Sequence, residues 1–136
     1  MMLTQTMTLS FKTELVQGIH NLASDVLYIA LYTSAASLDS TTATYTATGE
    51  VSATGYTAGG QILTGASVSG SGSTVYVNFS SPIWSGAFTA RGALIYNSSK
   101  ANRAVAVLDF GADKISVNTF TVVMPANTAT TALLRF

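Results

Sequence analysis

One histidine, no cysteine and six dispersed acids are all that this 136-residue chain offers for proton transfer or metal binding. His20 would need further ligands to hold a metal, and one ligand does not make a site. It reads as a packing or surface residue. Glu14, Asp25, Asp39, Glu50, Asp109 and Asp113 lie far apart, and only Asp109 and Asp113 are near one another, across a turn-like stretch. Nothing in that spacing favours the flanking carboxylates of a glycosidase. Gly65-Ala66-Ser67-Val68-Ser69 misses the nucleophile elbow, because Ser69 stands where the final glycine is required. Gly70-Ser71-Gly72 opens like a dinucleotide-binding loop but runs on through Thr74-Val75 as a strand, with no helix end on which a phosphate could rest. No catalytic residue, cofactor, metal or small-molecule substrate is therefore expected.

Contact chemistry is better represented. From Ser34 to Gly60 the chain is rich in Ser, Thr, Ala and Gly without any regular period, and Tyr45, Glu50, Val51 and Tyr56 are spaced along it. A stretch this long inside a small domain belongs to a functional loop or to a segment ordered by a neighbour. Aromatic rings on such a loop are typical anchors, so these four residues are the candidate protein-contact set. Composition points the same way. Charged residues make up 9% of the chain, against about 25% in ordinary soluble domains. Six basic residues cancel six acidic ones, which leaves no electrostatic footprint for nucleic acid or anionic lipid. A near-neutral surface of this kind is poorly protected against association and is expected to be occupied by partners. The longest apolar run, Val26 to Tyr32, is too short to span a membrane. Met1 to Ser10 has neither the basic start nor the apolar core of a secretory signal, so the sequons at Asn78 and Asn97 carry no weight.

The elements that must position these residues begin with Arg91 to Gly111. Ala93–Tyr96 and Ala104–Phe110 are apolar and β-branched, and Asn97 to Asn102 between them favours a turn, so a β-hairpin is expected. Strict alternation would put Ala104, Ala106, Leu108 and Phe110 on one face and Arg103, Val105, Val107 and Asp109 on the other. Both faces are then largely apolar, and each requires a cover: the domain core on one side, and a second layer, a helix or another subunit on the other. Residues 1–9 suit an extended arm or edge strand better than a helix. Ser10 is placed to cap a helix carrying Phe11, Leu15, Ile19 and Leu22 at helical spacing, with Gly18 a weak point within it. Strands are expected at Val26–Tyr32, Gln61–Val68, Thr74–Phe79, Phe88–Tyr96 with a bulge near Gly92, Arg103–Phe110, Phe120–Met124 and Thr131–Phe136. Gly111 to Lys114 reads as a turn, and Trp84 as a core anchor at a sandwich edge. One domain, 1–136, results: a mainly β jelly-roll or Greek-key sandwich of about seven or eight strands with one N-terminal helix, an arm at 1–9 and an extended loop at 34–60.

Three segments carry a resemblance. TATYTATGEVSATGYTAGG (Thr42–Gly60), FTARGALIYNSSKANRAVAVLDFG (Phe88–Gly111) and the helix–strand start FKTELVQGIHNL…VLYIALYTS (Phe11–Ser34) make the chain similar to the jelly-roll cement, or decoration, proteins of short-tailed bacteriophages, that of a Bordetella phage among them. The resemblance implies a virion structural protein on the capsid exterior. Such proteins bind an icosahedral shell of HK97-like major capsid protein and clamp neighbouring subunits together, commonly as homodimers. In that setting two fates are open to Tyr45 and Tyr56: anchoring the excursion on capsid protein or a sister copy, or packing on their own sandwich. The first would let Thr41 to Ala53 be removed with the fold intact. A tail or fibre module that recognises a host surface is the alternative within the same composition.

Overall fold

The computed structural model describes residues 2–136. In chain order its elements are β1 (Thr6–Met7), α1 (Leu9–Val16), β2 (Leu27–Tyr32), β3 (Gln61–Ile62), β4 (Ser67–Ser71), β5 (Thr74–Asn78), β6 (Ile83–Ser85), β7 (Thr89–Asn97), β8 (Arg103–Ile115), β9 (Thr119–Thr121) and β10 (Leu134–Arg135), with a 3-10 turn at Ser98–Lys100. The chain is mainly β, 40% strand and 8% helical, and forms a β-sandwich with an N-terminal helix. One antiparallel sheet has the order β1-β8-β7-β2-β3; smaller sheets, β10-β5-β4 and β6-β9, face it. Ten strands replace the expected seven or eight among the described residues, and three of them are only two residues long. The Gln61–Val68 run divides into β3 and β4, β1 forms the edge strand that residues 1–9 allowed, and β6, around Trp84, pairs β9 as a strand not expected from sequence.

The hairpin forms as expected and is longer than its apolar runs. Asn97 Oδ1 accepts the Ser99 N–H at 3.0 Å, and Ala101 and Asn102, at φ 57° and 58°, turn the chain back. The irregularity near Gly92 is present: Ala90 pairs Lys114 and Gly92 pairs Asp109, so residues 110–113 bulge from β8 opposite Arg91. Gly111 thus marks a bulge inside the strand, not its end. A second slip corrects the expected facing of β8. Ile95 pairs Ala106 while Tyr96 pairs Ala104, leaving Val105 as the extra residue. An extra residue reverses the alternation. Val105 and Ala106 therefore both join the core between the sheets, and Ala104 and Val107 lie on the outer face.

Each apolar face is covered, and the second cover is the chain's own excursion. Between the sheets, Ile29, Leu31, Ile95 and Val105 meet Val77, Phe79, Trp84, Phe120 and Leu134. On the outer face, Ala30, Tyr32, Leu94, Tyr96, Ala104 and Val107 lie under Ala36 and Leu38, with Leu3, Tyr28 and Tyr45 packed beside them. The strap is sewn to both margins of the sheet. Val51 N–H donates to Leu31 O and Thr33 N–H to Gly49 O on the β2 side; Tyr45 N–H donates to Asn102 O and Ala104 N–H to Ala43 O on the β8 side. The N-terminal arm joins it, with Leu38 N–H on Met2 O and Thr4 N–H on Leu38 O.

The helix starts and stops elsewhere than its spacing suggested. Thr8, not Ser10, is the N-cap, its hydroxyl accepting the Phe11 N–H at 3.2 Å. Gly18, at φ +77°, supplies the left-handed residue that ends the helix after Val16, so Ile19 and Leu22 lie beyond it. Only Phe11 of the helix is buried. Thr8→Ala is expected to lower stability by about 1 kcal/mol and Thr8→Ser to restore most of it, with Ser10→Ala near neutral, as read from urea unfolding curves.

Candidate functional site

The four residues singled out by sequence converge on one carboxylate. Glu50 lies at the end of the strap, where it forms a bridge pair with Tyr32 beside β2. Its Oε1 accepts the Tyr45 hydroxyl at 2.5 Å; its Oε2 accepts the Tyr56 hydroxyl at 2.5 Å and the Gly59 N–H at 2.7 Å. Tyr56 is shared further, since its oxygen accepts the Leu31 N–H at 2.9 Å. Two more hydroxyls hold backbone around the same centre, Tyr96 on Gly59 O and Tyr32 on Thr46 O. Rings pack around it as well: Tyr45 tilted against Tyr96 with centroids 4.9 Å apart, and Tyr56 stacked beside Trp84 and edge-on to Phe88. Gly60 closes the cluster, because a side chain there would collide with the Ile29 carbonyl.

Of the two fates open to Tyr45 and Tyr56, the structure shows packing on their own sandwich. Val51 and Tyr56 are buried in the core between the sheets, and Tyr45 and Glu50 are half-buried. Glu50 accepts three donors, so it is a structural clasp and offers little to a substrate. The sequence reading missed Tyr32 and Tyr96, whose roles depend on contacts 14 and 37 residues away along the chain. Tyr32 sat inside an apolar strand run that gave no sign of its hydroxyl partner.

Burial, and secondarily the Glu50 carboxylate, raise the ionisation of these phenols above the ordinary tyrosine value of 10.0, that of Tyr96 to about 12. Burial likewise leads for Tyr45 and Tyr56, followed by their hydrogen bonds to Glu50. A neutral phenol stabilised in the folded state contributes stability that is complete below pH 10 and is lost as pH climbs toward the folded value. Ultraviolet tyrosinate absorbance should therefore show at least four of the six tyrosines ionising only together with unfolding; four ionising freely at pH 10 would contradict the clasp.

A second polar cluster surrounds His20. Its ring is buried against Phe11, with Nε2 2.9 Å from Glu14 Oε1 and Nδ1 2.9 Å from Asn97 Nδ2. Asn97 Nδ2 can only donate, so Nδ1 accepts and Nε2 carries the proton to Glu14. Both ring nitrogens are used. Asn97 also donates to Asp25 at 2.8 Å, and Lys100 Nζ sits 2.8 and 3.0 Å from the two Asp25 oxygens. His20 is thus a packing residue that ties the helix to the hairpin turn. Burial opposes ionisation of Asp25, but the Asn21 N–H, Lys100 and Asn97 outweigh it and bring its pKa down to about 2. A lowered carboxylate contributes stability above its ordinary value of 3.8 that is lost as pH falls toward 2. Between pH 4 and 2 the wild type should lose about 2 kcal/mol through this group, a slope that Asp25→Asn removes in acid titrations of unfolding.

Comparison of the chain with known protein families, with curated protein sequences and with solved structures finds no match. Among the described residues, no three of His, Asp and Glu are grouped so as to hold a metal ion. Nor is any helix among them long and apolar enough to cross a membrane. Ile115 at the end of β8, Val117 in the turn to β9 and Val123 just beyond β9 are each more than three-quarters exposed.

Proposed function

We propose that this chain is a virion structural protein, a cement or decoration protein that binds the outer surface of an icosahedral phage capsid and stabilises it by bridging neighbouring major capsid subunits. It acts as a homodimer and has no catalytic role. The observation that carries this reading is the set of outward-facing apolar side chains Ile115, Val117 and Val123 on a chain with only six basic and six acidic residues. Such a surface associates by apolar area and shape rather than by charge. The resemblance of Phe11–Ser34, Thr42–Gly60 and Phe88–Gly111 to cement proteins supplies the kind of partner. Each copy then needs only modest affinity, because attachment at many subunit boundaries multiplies its effect on the shell.

The test is reconstitution. Purified protein mixed with shells lacking it should co-sediment saturably at a fixed ratio to the capsid subunit. Binding should change little with salt, because few charges are present to be screened. The double variant Ile115→Asp, Val117→Asp should bind at least tenfold more weakly with an unchanged unfolding midpoint. Protein that stays in the supernatant at every concentration would reject the reading.

A further inference from the structure

The two layers of the sandwich are joined closely on one side. There the chain crosses between the sheets through residues 63–66, held by Leu63 N–H on Leu27 O and Ser80 N–H on Thr64 O. On the other side a groove of about 1000 Å³ separates them. Its apolar lining includes Leu108, Phe110, Phe120, Val122, Met124 and Leu134. Among the described residues, β8 is edged there by the two residues of β1, and β9 has β6 as its one strand neighbour. The free side of β9 leads into a longer wall: Thr119, Thr121 and Val123 are exposed while Phe120 and Val122 are buried, the period of a strand. Among the described residues, only Lys114 and Arg135 bring charge to the lining. Both are cations, and neither forms an ion pair among the described residues.

We propose that this groove receives an extended apolar segment bearing a carboxylate side chain, contributed by the surface to which the protein attaches. The segment pairs its backbone with the free edge of β9, as in strand addition to an open sheet. Its alternate side chains enter the apolar lining, and its carboxylate lies against Lys114 and Arg135. The period-two wall selects a strand, since a small amphiphile would use the apolar floor and a cation but not the backbone edge. The capsid as the source of that segment rests on the function proposed above; the groove's preference for an acidic strand does not.

The decisive experiment is an NMR titration of the isotopically labelled full chain with acetyl-Thr-Val-Glu-Val-Thr-Val-amide, the same peptide with Lys in place of Glu, and dodecanoate. The acidic peptide should shift amides at Phe110, Ile115, Phe120 and Val123, with affinity at least tenfold above that of the lysine peptide. Lys114→Glu combined with Arg135→Glu should invert that order, and both substituted positions lie at the surface or rim, so the fold is retained. Equal affinity for the two peptides, shifts confined to other regions, no binding by either, or dodecanoate occupying the groove where the peptides do not, would each overturn the proposal. Shell binding separates the two readings. If wild type and the Lys114→Glu, Arg135→Glu double variant bind shells equally, the groove is rejected as the capsid contact while attachment stands. If the acidic peptide fills the groove but wild type ignores shells, attachment fails and the strand site stands.

Discussion

Deleting Thr41–Ala53 should abolish the cooperative unfolding transition and leave the protein aggregated, whereas a loop that serves only a partner could be removed with the fold intact. The segment carries Tyr45, Glu50 and Val51, together with the backbone that holds the strap to Leu31, Asn102 and Ala104. Without it the outer face loses Tyr45 and the backbone bonds that fasten the strap, so that Ala36 and Leu38 are no longer held over Tyr32, Leu94, Tyr96 and Val107, all buried in the intact chain. Re-exposing a large apolar side chain costs about 1.5–3 kcal/mol. Several together reach the whole stability of an ordinary domain, roughly 5–15 kcal/mol. Size-exclusion chromatography with thermal circular dichroism decides the matter. A soluble deletion variant melting at the wild-type temperature would show that the strap is no structural layer.

Glu50→Ala is expected to cost about 3 kcal/mol. It strips the acceptor from two phenols and one backbone N–H at once, and hydrogen bonds to a charged group contribute about 1.5–3 kcal/mol each before relaxation and water recover part of the loss. Glu50→Gln should fall between the two, because its carbonyl can still accept one donor while its amide NH₂ confronts another. Tyr56→Phe should cost about 1–2 kcal/mol, since it also leaves the Leu31 N–H without its partner. The Glu50→Ala, Tyr56→Phe pair should then be markedly less destabilising than the sum of the single changes, as expected for residues within one network. Guanidinium unfolding of the four proteins measures it. Additivity within experimental error would mean that the carboxylate and the phenol are not coupled.

The hairpin could be read directly because its signals are local: β-branched runs with turn-forming residues between them. The need for covers on both faces was equally readable, from the side chains of β2 and β8 alone. The identity of the second cover was not, because Ala36, Leu38 and Tyr45 fall at no regular period and meet the sheet only through distant pairings. Thr8 and Ser10 are both good capping residues two positions apart; the position of the Phe11 N–H chose between them. The facing of β8 turned on one unpaired residue, Val105, whose displacement follows from its pairing with β7 and from nothing in its own side chain. Tyr45, Glu50, Val51 and Tyr56 were found as a group through their isolation in a plain Ser/Thr/Gly stretch. Their direction was a different matter, since tyrosines spaced along a loop look alike whether they grip a neighbour or a carboxylate of their own strap. The groove left no trace in sequence, because its walls come from strands that do not pair with one another.

Imaging of the assembled particle by electron microscopy, with the polypeptide counted per virion, decides whether this protein is part of the shell. Density of this shape should lie on the shell exterior at boundaries between capsid subunits, in a fixed ratio to the major capsid protein. The β8–β9 turn should face the shell, and the strap should be folded onto its own sheet. A few copies confined to the tail or its fibres, or particles without this chain, would contradict that placement.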